Sequence, residues 1–184
     1  MKVFDFDKTI YDGDASIDFF IYCLKKNKKV LKAAPRQLSG WVRYHLKAIS
    51  LNEFKERYFS FIEYVNLQDM IDRFWNDNRG KIKGWYLSVK NPDDVIISSS
   101  PDFIIRPICT WLGVNSISTV FDTVHCKIIG ENCKGEEKVK RFKELYPDTI
   151  PSEFYSDSDS DAPFAQFSSH SFKVKGNNIS EWET

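Results

Sequence analysis

The chain has no CxxC pair, and none of its three histidines stands at ligand spacing from any of its four cysteines, Cys23, Cys109, Cys126 and Cys133. That excludes a zinc ribbon or finger and leaves reduced thiols as the expectation. No apolar run approaches the roughly 20 residues that a membrane span needs, and only four residues precede the first carboxylate, Asp5. A signal peptide does not fit there, so the expected location is cytoplasmic. Basic residues occur without a nucleic-acid reading motif, which argues against nucleic acid as a partner.

Two further absences are regional. From Phe19 to Asn52 there are eight Lys or Arg and no acid; from Glu144 to Phe172 there are six acids and no Lys or Arg. The formal net charge of zero conceals one basic and one acidic lobe. The basic stretch Lys25 to Lys47, with Trp41 and Tyr44, could make peripheral contact with an anionic membrane face. An ordinary solvated surface is the competing reading.

What is present is globular: 42% apolar, 28% charged and, at 15%, rich in aromatics. With 184 residues the chain suits one core carrying a modest insert better than two independent domains. Lys2 to Phe6 is bulky and apolar apart from Asp5, as in a central parallel strand. Helices are expected from Asp14 to Leu24, around Trp41 to Ile49, from Leu51 to Tyr64 and from Leu67 to Asn76, with no strand among them. Residues 14–83 therefore read as an all-helical cap, and 1–13 with 84–184 as the core. In the core, Val95-Ile96-Ile97 is a strand stopped by Ser98-Ser99-Ser100-Pro101. Asp102 to Leu112 follows as a helix, then Ser118 to Asp122 as a strand, Glu136 to Leu145 as a helix, and Glu153 to Ser156 and Ser171 to Val174 as strands. Alternation of strand and helix makes the class α/β with a mostly parallel central sheet.

Asp5-Phe6-Asp7-Lys8-Thr9 organises this frame. A carboxylate attacks phosphorus only when cations offset the repulsion between two anions, so the pair Asp5 and Asp7 calls for Mg²⁺ and further oxygen ligands. Ser98, at a strand's carboxyl end, can donate to a phosphate oxygen. Lys134 or Lys138 could neutralise the transferred group. In Asp157-Ser158-Asp159-Ser160-Asp161, the outer two carboxylates are four apart and fall on one side of a turn. An EF-hand loop is excluded, because Ala162 replaces the required glycine and the distal Glu is missing.

This ordered set resembles the haloacid dehalogenase superfamily over the whole chain, and the helical insert resembles the type 1 cap of its phosphoserine phosphatase branch. Asn132 to Val139, Tyr155 to Ser158 with Asp161 and Pro163, and Phe167…His170…Val174 look most like the phosphatidylglycerophosphatase C group. The resemblance implies a Rossmann-like core and a Mg²⁺-dependent phosphomonoester hydrolase acting on a small or lipid-linked substrate. Asp5 would be the nucleophile that forms an aspartyl-phosphate, and Asp7 the general acid and base whose carbonyl helps hold the metal. Asp157 would be the other carboxylate ligand and Asp161 a support of the metal shell. Ser98, Thr9 and the lysine would hold the phosphoryl oxygens. The Gly-Glu-Glu-Lys pattern favours Lys138 for that role, whereas phosphoserine phosphatase spacing favours Lys134. Asp14 can match the acid with which those phosphatases grip substrate, but their cap arginine falls near Phe61, which puts phosphoserine in doubt. A phosphotransferase to an alcohol acceptor and a non-catalytic membrane-surface protein are the alternatives.

Overall fold

The computed structural model describes residues 1–183. Six strands form the main sheet: β1 (Lys2–Phe4), β2 (Val95–Pro101), β3 (Asn115–Thr119), β6 (Glu153–Ser156), β7 (His170–Lys175) and β8 (Asn178–Glu181). Their order is β3-β2-β1-β6-β7-β8. All pair in parallel except β7 with β8. β1 is central: Val3 faces Val95 and Phe154, and Phe4 faces Ile96 and Tyr155. The chain runs outward from β1 to β2 and β3, then returns to β1's other side at β6. The crevice beyond the carboxyl end of β1 is therefore the topological switch point of the sheet, where open α/β folds place their ligands.

Alternation along each strand sends side chains to two different cores. On one face Val3, Val95, Ile97, Ile117 and Phe154 meet α7 (Glu136–Leu145) and α8 (Ala162–Phe167) through Phe142 and Phe164. On the other, Phe4, Phe6 and Ile96 join α6 (Asp102–Leu112) and a helical stretch that fills the chain between β1 and β2. That stretch holds α1 (Ala15–Lys26), α2 (Ala34–His45), α3 (Leu51–Tyr58), α4 (Leu67–Asn78) and α5 (Gly84–Val89), with 3₁₀ turns at Lys28–Ala33, Phe59–Tyr64 and Arg79–Lys81. Its aromatics explain the compositional excess. Phe19, Phe59, Phe61, Phe74 and Trp75 are buried with Phe4 of β1 and Phe6 just beyond it in one cluster. The helices and the sheet thus share a core.

Helix ends follow side-chain chemistry. Asp14 caps α1 by accepting the Ile17 N–H at 3.1 Å, and Ser50 and Glu53 form a reciprocal capping box on α3. Where α2 was expected near Trp41, it begins at Ala34, because Pro35 opens the first turn, where its missing N–H has no cost. The expected strand Ser118 to Asp122 is divided. β3 starts earlier, at Asn115, as a polar edge strand, and Phe121–Asp122 (β4) pairs instead with Lys127–Ile128 (β5) in a separate antiparallel hairpin. The last strand, β8, is exposed throughout, so no burial pattern announces it.

All four cysteines are buried and unbridged. Burial pushes the thiols up, Cys23 to about 12, Cys126 and Cys133 to about 11, and Cys109 higher still. The thiolate is the reactive form. The folded protein is therefore expected to show no fast-reacting thiol towards a disulfide reagent at pH 8, and four after unfolding in urea. A fast thiol in the native state would contradict this packing.

Candidate active site

Asp5 follows β1 directly, and its N–H still donates to the Tyr155 carbonyl at 2.8 Å, which fixes it at the carboxyl end of the central strand. Lys138 reaches it from α7. The Lys138 ammonium donates to Asp5 Oδ1 at 2.6 Å and to Asp161 Oδ2 at 2.7 Å, with the lysine side chain only 2% exposed. The other Asp5 oxygen accepts from Thr9 Oγ1 at 3.1 Å, and the same hydroxyl accepts the Asp157 N–H at 2.9 Å. Ser156 Oγ completes the network by donating to Asp161 Oδ2 at 2.7 Å. Residues 133 and 148 positions apart are thereby locked together.

Asp7 occupies the opposite wall. Its Oδ1 accepts the Ala15 N–H and its Oδ2 the Ser100 hydroxyl, both at 2.6 Å, and Ser16 Oγ lies 3.0 Å from Ser100 Oγ. Burial pushes Asp7 up to about 7, with the Asp14 charge adding to the effect against those two hydrogen bonds. Burial also lifts Asp5, to about 6; Lys138 pulls it down while Asp161 and Asp157 push it up. Asp157 is raised by burial as well. Burial alone would lower Lys138, but Asp5 and Asp161 outweigh it and hold the ammonium above its ordinary value. The site thus pairs a permanently charged lysine with carboxylates that are costly to keep ionised.

A pocket of about 430 Å³ opens over these groups, lined by Asp5, Asp7, Asp14, Ser99, Ser100, Lys134 and Asp157 on a polar side. Ile17, Phe54, Tyr58 and Phe59 form an apolar side. Several expectations are corrected. Ser98 is fully buried and outside the pocket lining, its Oγ accepting the Ser100 N–H at 3.0 Å. β2 continues to Pro101 with a register shift against β3 between Ser98 and Pro101, and it is Ser99 and Ser100 that line the pocket. Thr9 is also fully buried; it braces Asp5 and Asp157 where phosphate contact was expected. Asp161 holds Lys138. Lys134 is exposed at the rim while Lys138 sits on Asp5. Phe61 is core.

The sequence reading missed Lys55. It projects from α3 into the pocket and donates to the Ser99 carbonyl at 2.7 Å and Asn132 Oδ1 at 2.6 Å; burial pulls it down to about 8. Its only signal was a lysine one residue from Phe54 on an amphipathic helix. Lys83 was missed too, and its ammonium ties the Lys8 carbonyl to that of Gly176.

Replacing Thr9 by Val preserves shape but leaves the part-buried Asp157 N–H without its acceptor, for which we expect a loss of about 1–3 kcal/mol in urea unfolding. A stability equal to that of the parent would show that this brace is dispensable.

The donors suited to a metal are the Asp5 and Asp157 carboxylates with the Asp7 backbone carbonyl, an all-oxygen set of the kind that Mg²⁺ takes. Among the described residues no cluster of three or more Asp, Glu, His or Cys side chains is arranged to hold a metal ion.

A parallel sheet with carboxylates and a buried lysine at its switch point defines a Rossmann-like hydrolytic core. Residues 3–166 match the family model for haloacid dehalogenase-like hydrolases, and the chain belongs to that family. The fold is shared with a Bordetella pertussis protein of unknown function at 19% identity, covering 93% of this chain and 87% of that one with a TM-score of 0.75. It is also shared with a phosphoserine phosphohydrolase-like protein from Francisella tularensis (16% identity, 93% and 86% covered, TM-score 0.58). A cytosolic 5'-nucleotidase IIIB bound to cytidine is similar as well (13% identity, 94% and 71% covered, TM-score 0.56). No curated protein sequence matches the chain.

Proposed function

We propose that the protein is a Mg²⁺-dependent phosphomonoester hydrolase working through an aspartyl-phosphate on Asp5, within a core of residues 1–13 and 84–184 capped by the helical insert 14–83. The observation that carries this reading is the Lys138 ammonium bridging Asp5 and Asp161 at the switch point. It orients the nucleophile and supplies positive charge where a phosphoryl group would lie. An Asp5 oxygen attacks phosphorus, the ester P–O bond breaks, and protonated Asp7 gives its proton to the departing alkoxide. In the second half a water attacks the aspartyl-phosphate, Asp7 takes its proton, and inorganic phosphate leaves with Asp5 restored. Burial favours this double role by holding Asp7 at about 7, near neutrality. Mg²⁺ bound by Asp5, Asp157 and the Asp7 carbonyl would offset the charge of the phosphate.

The lining supports a leaving group with an apolar portion, because Ile17, Phe54, Tyr58 and Phe59 line the pocket together with the polar residues. That agrees with a lipid-linked phosphomonoester, the class suggested by the likeness of Asn132–Val139 to phosphatidylglycerophosphatase C. Lys55 and Lys134 would meet a second anionic group on such a substrate. Purified protein with Mg²⁺ is expected to release phosphate from an aryl phosphate, to stop on addition of EDTA, and to prefer one class in a panel of soluble phosphomonoesters and detergent-dispersed lipid phosphates. No phosphate from any member of that panel would overturn the reading.

A further inference from the structure

Helix α2 turns its apolar stripe away from the protein. Its packed face is built from Gly40, where a Cβ would lie 2.9 Å from that of Arg57, from Gln37, which donates to the Tyr58 carbonyl at 2.8 Å, and from Tyr44, stacked on Phe54 at 5.0 Å. Leu38, Trp41 and Val42, spaced i, i+3, i+4, share another face and are 64%, 53% and 41% exposed, with Leu46 just beyond at 73%. In an ordinary surface helix that stripe faces the core.

The flank is cationic. Lys25, Lys26, Lys28, Lys29, Lys32, Arg43 and Lys47 are all exposed, and no acid occurs from Phe19 to Asn52. Arg36 is held by Glu63 at 3.1 Å. Among the described residues no helix is long and apolar enough to cross a membrane, so the stripe is not part of a span.

We propose that α2 is an interfacial helix that lays Leu38, Trp41 and Val42 into the headgroup region of an anionic bilayer while the neighbouring lysines and Arg43 contact lipid phosphates. A second copy fits poorly, since a two-fold contact through this face would set cations against cations. The outward stripe suits a deformable surface, and a Trp beside long basic side chains is the composition of a membrane boundary. Through Tyr44 and Phe54, α2 touches the wall of the pocket. On the hydrolase reading, docking would therefore bring the pocket mouth to lipid-borne phosphate; the docking itself requires no turnover.

The test is co-sedimentation of the full chain with vesicles of phosphatidylcholine alone or mixed with phosphatidylglycerol. Binding is expected on the anionic vesicles only, and the double variant Leu38→Ser/Trp41→Ser is expected to lower the partition coefficient at least about tenfold. Aryl phosphate hydrolysis by the double variant should stay within about twofold of the parent, since neither residue lines the pocket. Equal binding to neutral vesicles, no binding at all, or a variant that binds like the parent would overturn the proposal. So would a dimer in light scattering that the double variant abolishes, which would assign the face to a second copy. A protein that docks but hydrolyses nothing would leave the surface standing and remove the enzymatic reading.

Discussion

Asp5→Asn is expected to release no measurable phosphate from an aryl phosphomonoester, a loss of at least about 10³-fold, while folding like the parent. The amide keeps the size of the carboxylate, and its oxygen can still accept from Lys138 or Thr9, so the network is not emptied. Lys138 keeps Asp161 as its charged partner. One of the negative charges crowded around Asp157 and Asp161 is removed, which relieves the repulsion that helps push Asp5 up. Chemistry and folding therefore separate in this variant: a neutral amide oxygen is a poor nucleophile, but the fold has little reason to notice. Phosphate release and urea unfolding, measured side by side, check both halves. Retained turnover would move the nucleophile elsewhere.

The largest effect on folding is expected from Lys138→Met. Methionine fills much of the space but strands Asp5 and Asp161 without their cation, in a site where the lysine is 2% exposed. Breaking a buried ion pair from one side costs about 3–5 kcal/mol, and activity is lost with it. The pH dependence has a definite sign. Without the ammonium Asp5 loses the partner that pulls it down and is left further above its unfolded value, so the native state binds more protons than the unfolded chain and stability rises as pH falls. In EDTA, the gap in urea midpoint between variant and parent should narrow from pH 7 to pH 5.5. Adding Asp161→Asn to the variant should recover part of the loss. A gap that widens on acidification would show that the carboxyls are not the stranded groups.

Much of this centre was legible in the chain, because its parts follow local rules. Asp5 ends an apolar strand, and Glu136 to Leu145 carries acids in its first turn after Gly135, which adopts φ +58°. Glu153 to Ser156 alternates inward and outward as a strand with one face buried at a time. The errors have physical causes as well. Reading β2 as stopping at Ile97 misassigned the serines: the strand runs four residues further, with a register shift between Ser98 and Pro101 that leaves Ser99 and Ser100, and not Ser98, lining the pocket. Lys55 was hidden because a lysine on an amphipathic helix looks solvated until long-range docking sets it on Ser99 and Asn132. Nothing local encodes that contact. The stretch Lys25 to Lys47 was read as either a membrane-facing or an ordinary solvated surface, because periodicity alone does not say whether the stripe Leu38, Trp41 and Val42 faces the core or the outside.

The common cluster that joins Phe19, Phe61 and Phe74 to Phe6 and Ile104 limits how the enzyme can breathe. A lid that swings away as a rigid body would expose that whole aromatic seam to water. Asn52, Lys55 and Glu56 also moor α3 to the loops around Gly130, Asn132 and Ile128. Among the residues lining the pocket, Ile17 is 49% exposed and stands at its opening to solvent. Opening by rotamer changes at the rim would leave those contacts intact, whereas a rigid-body swing would break all of them.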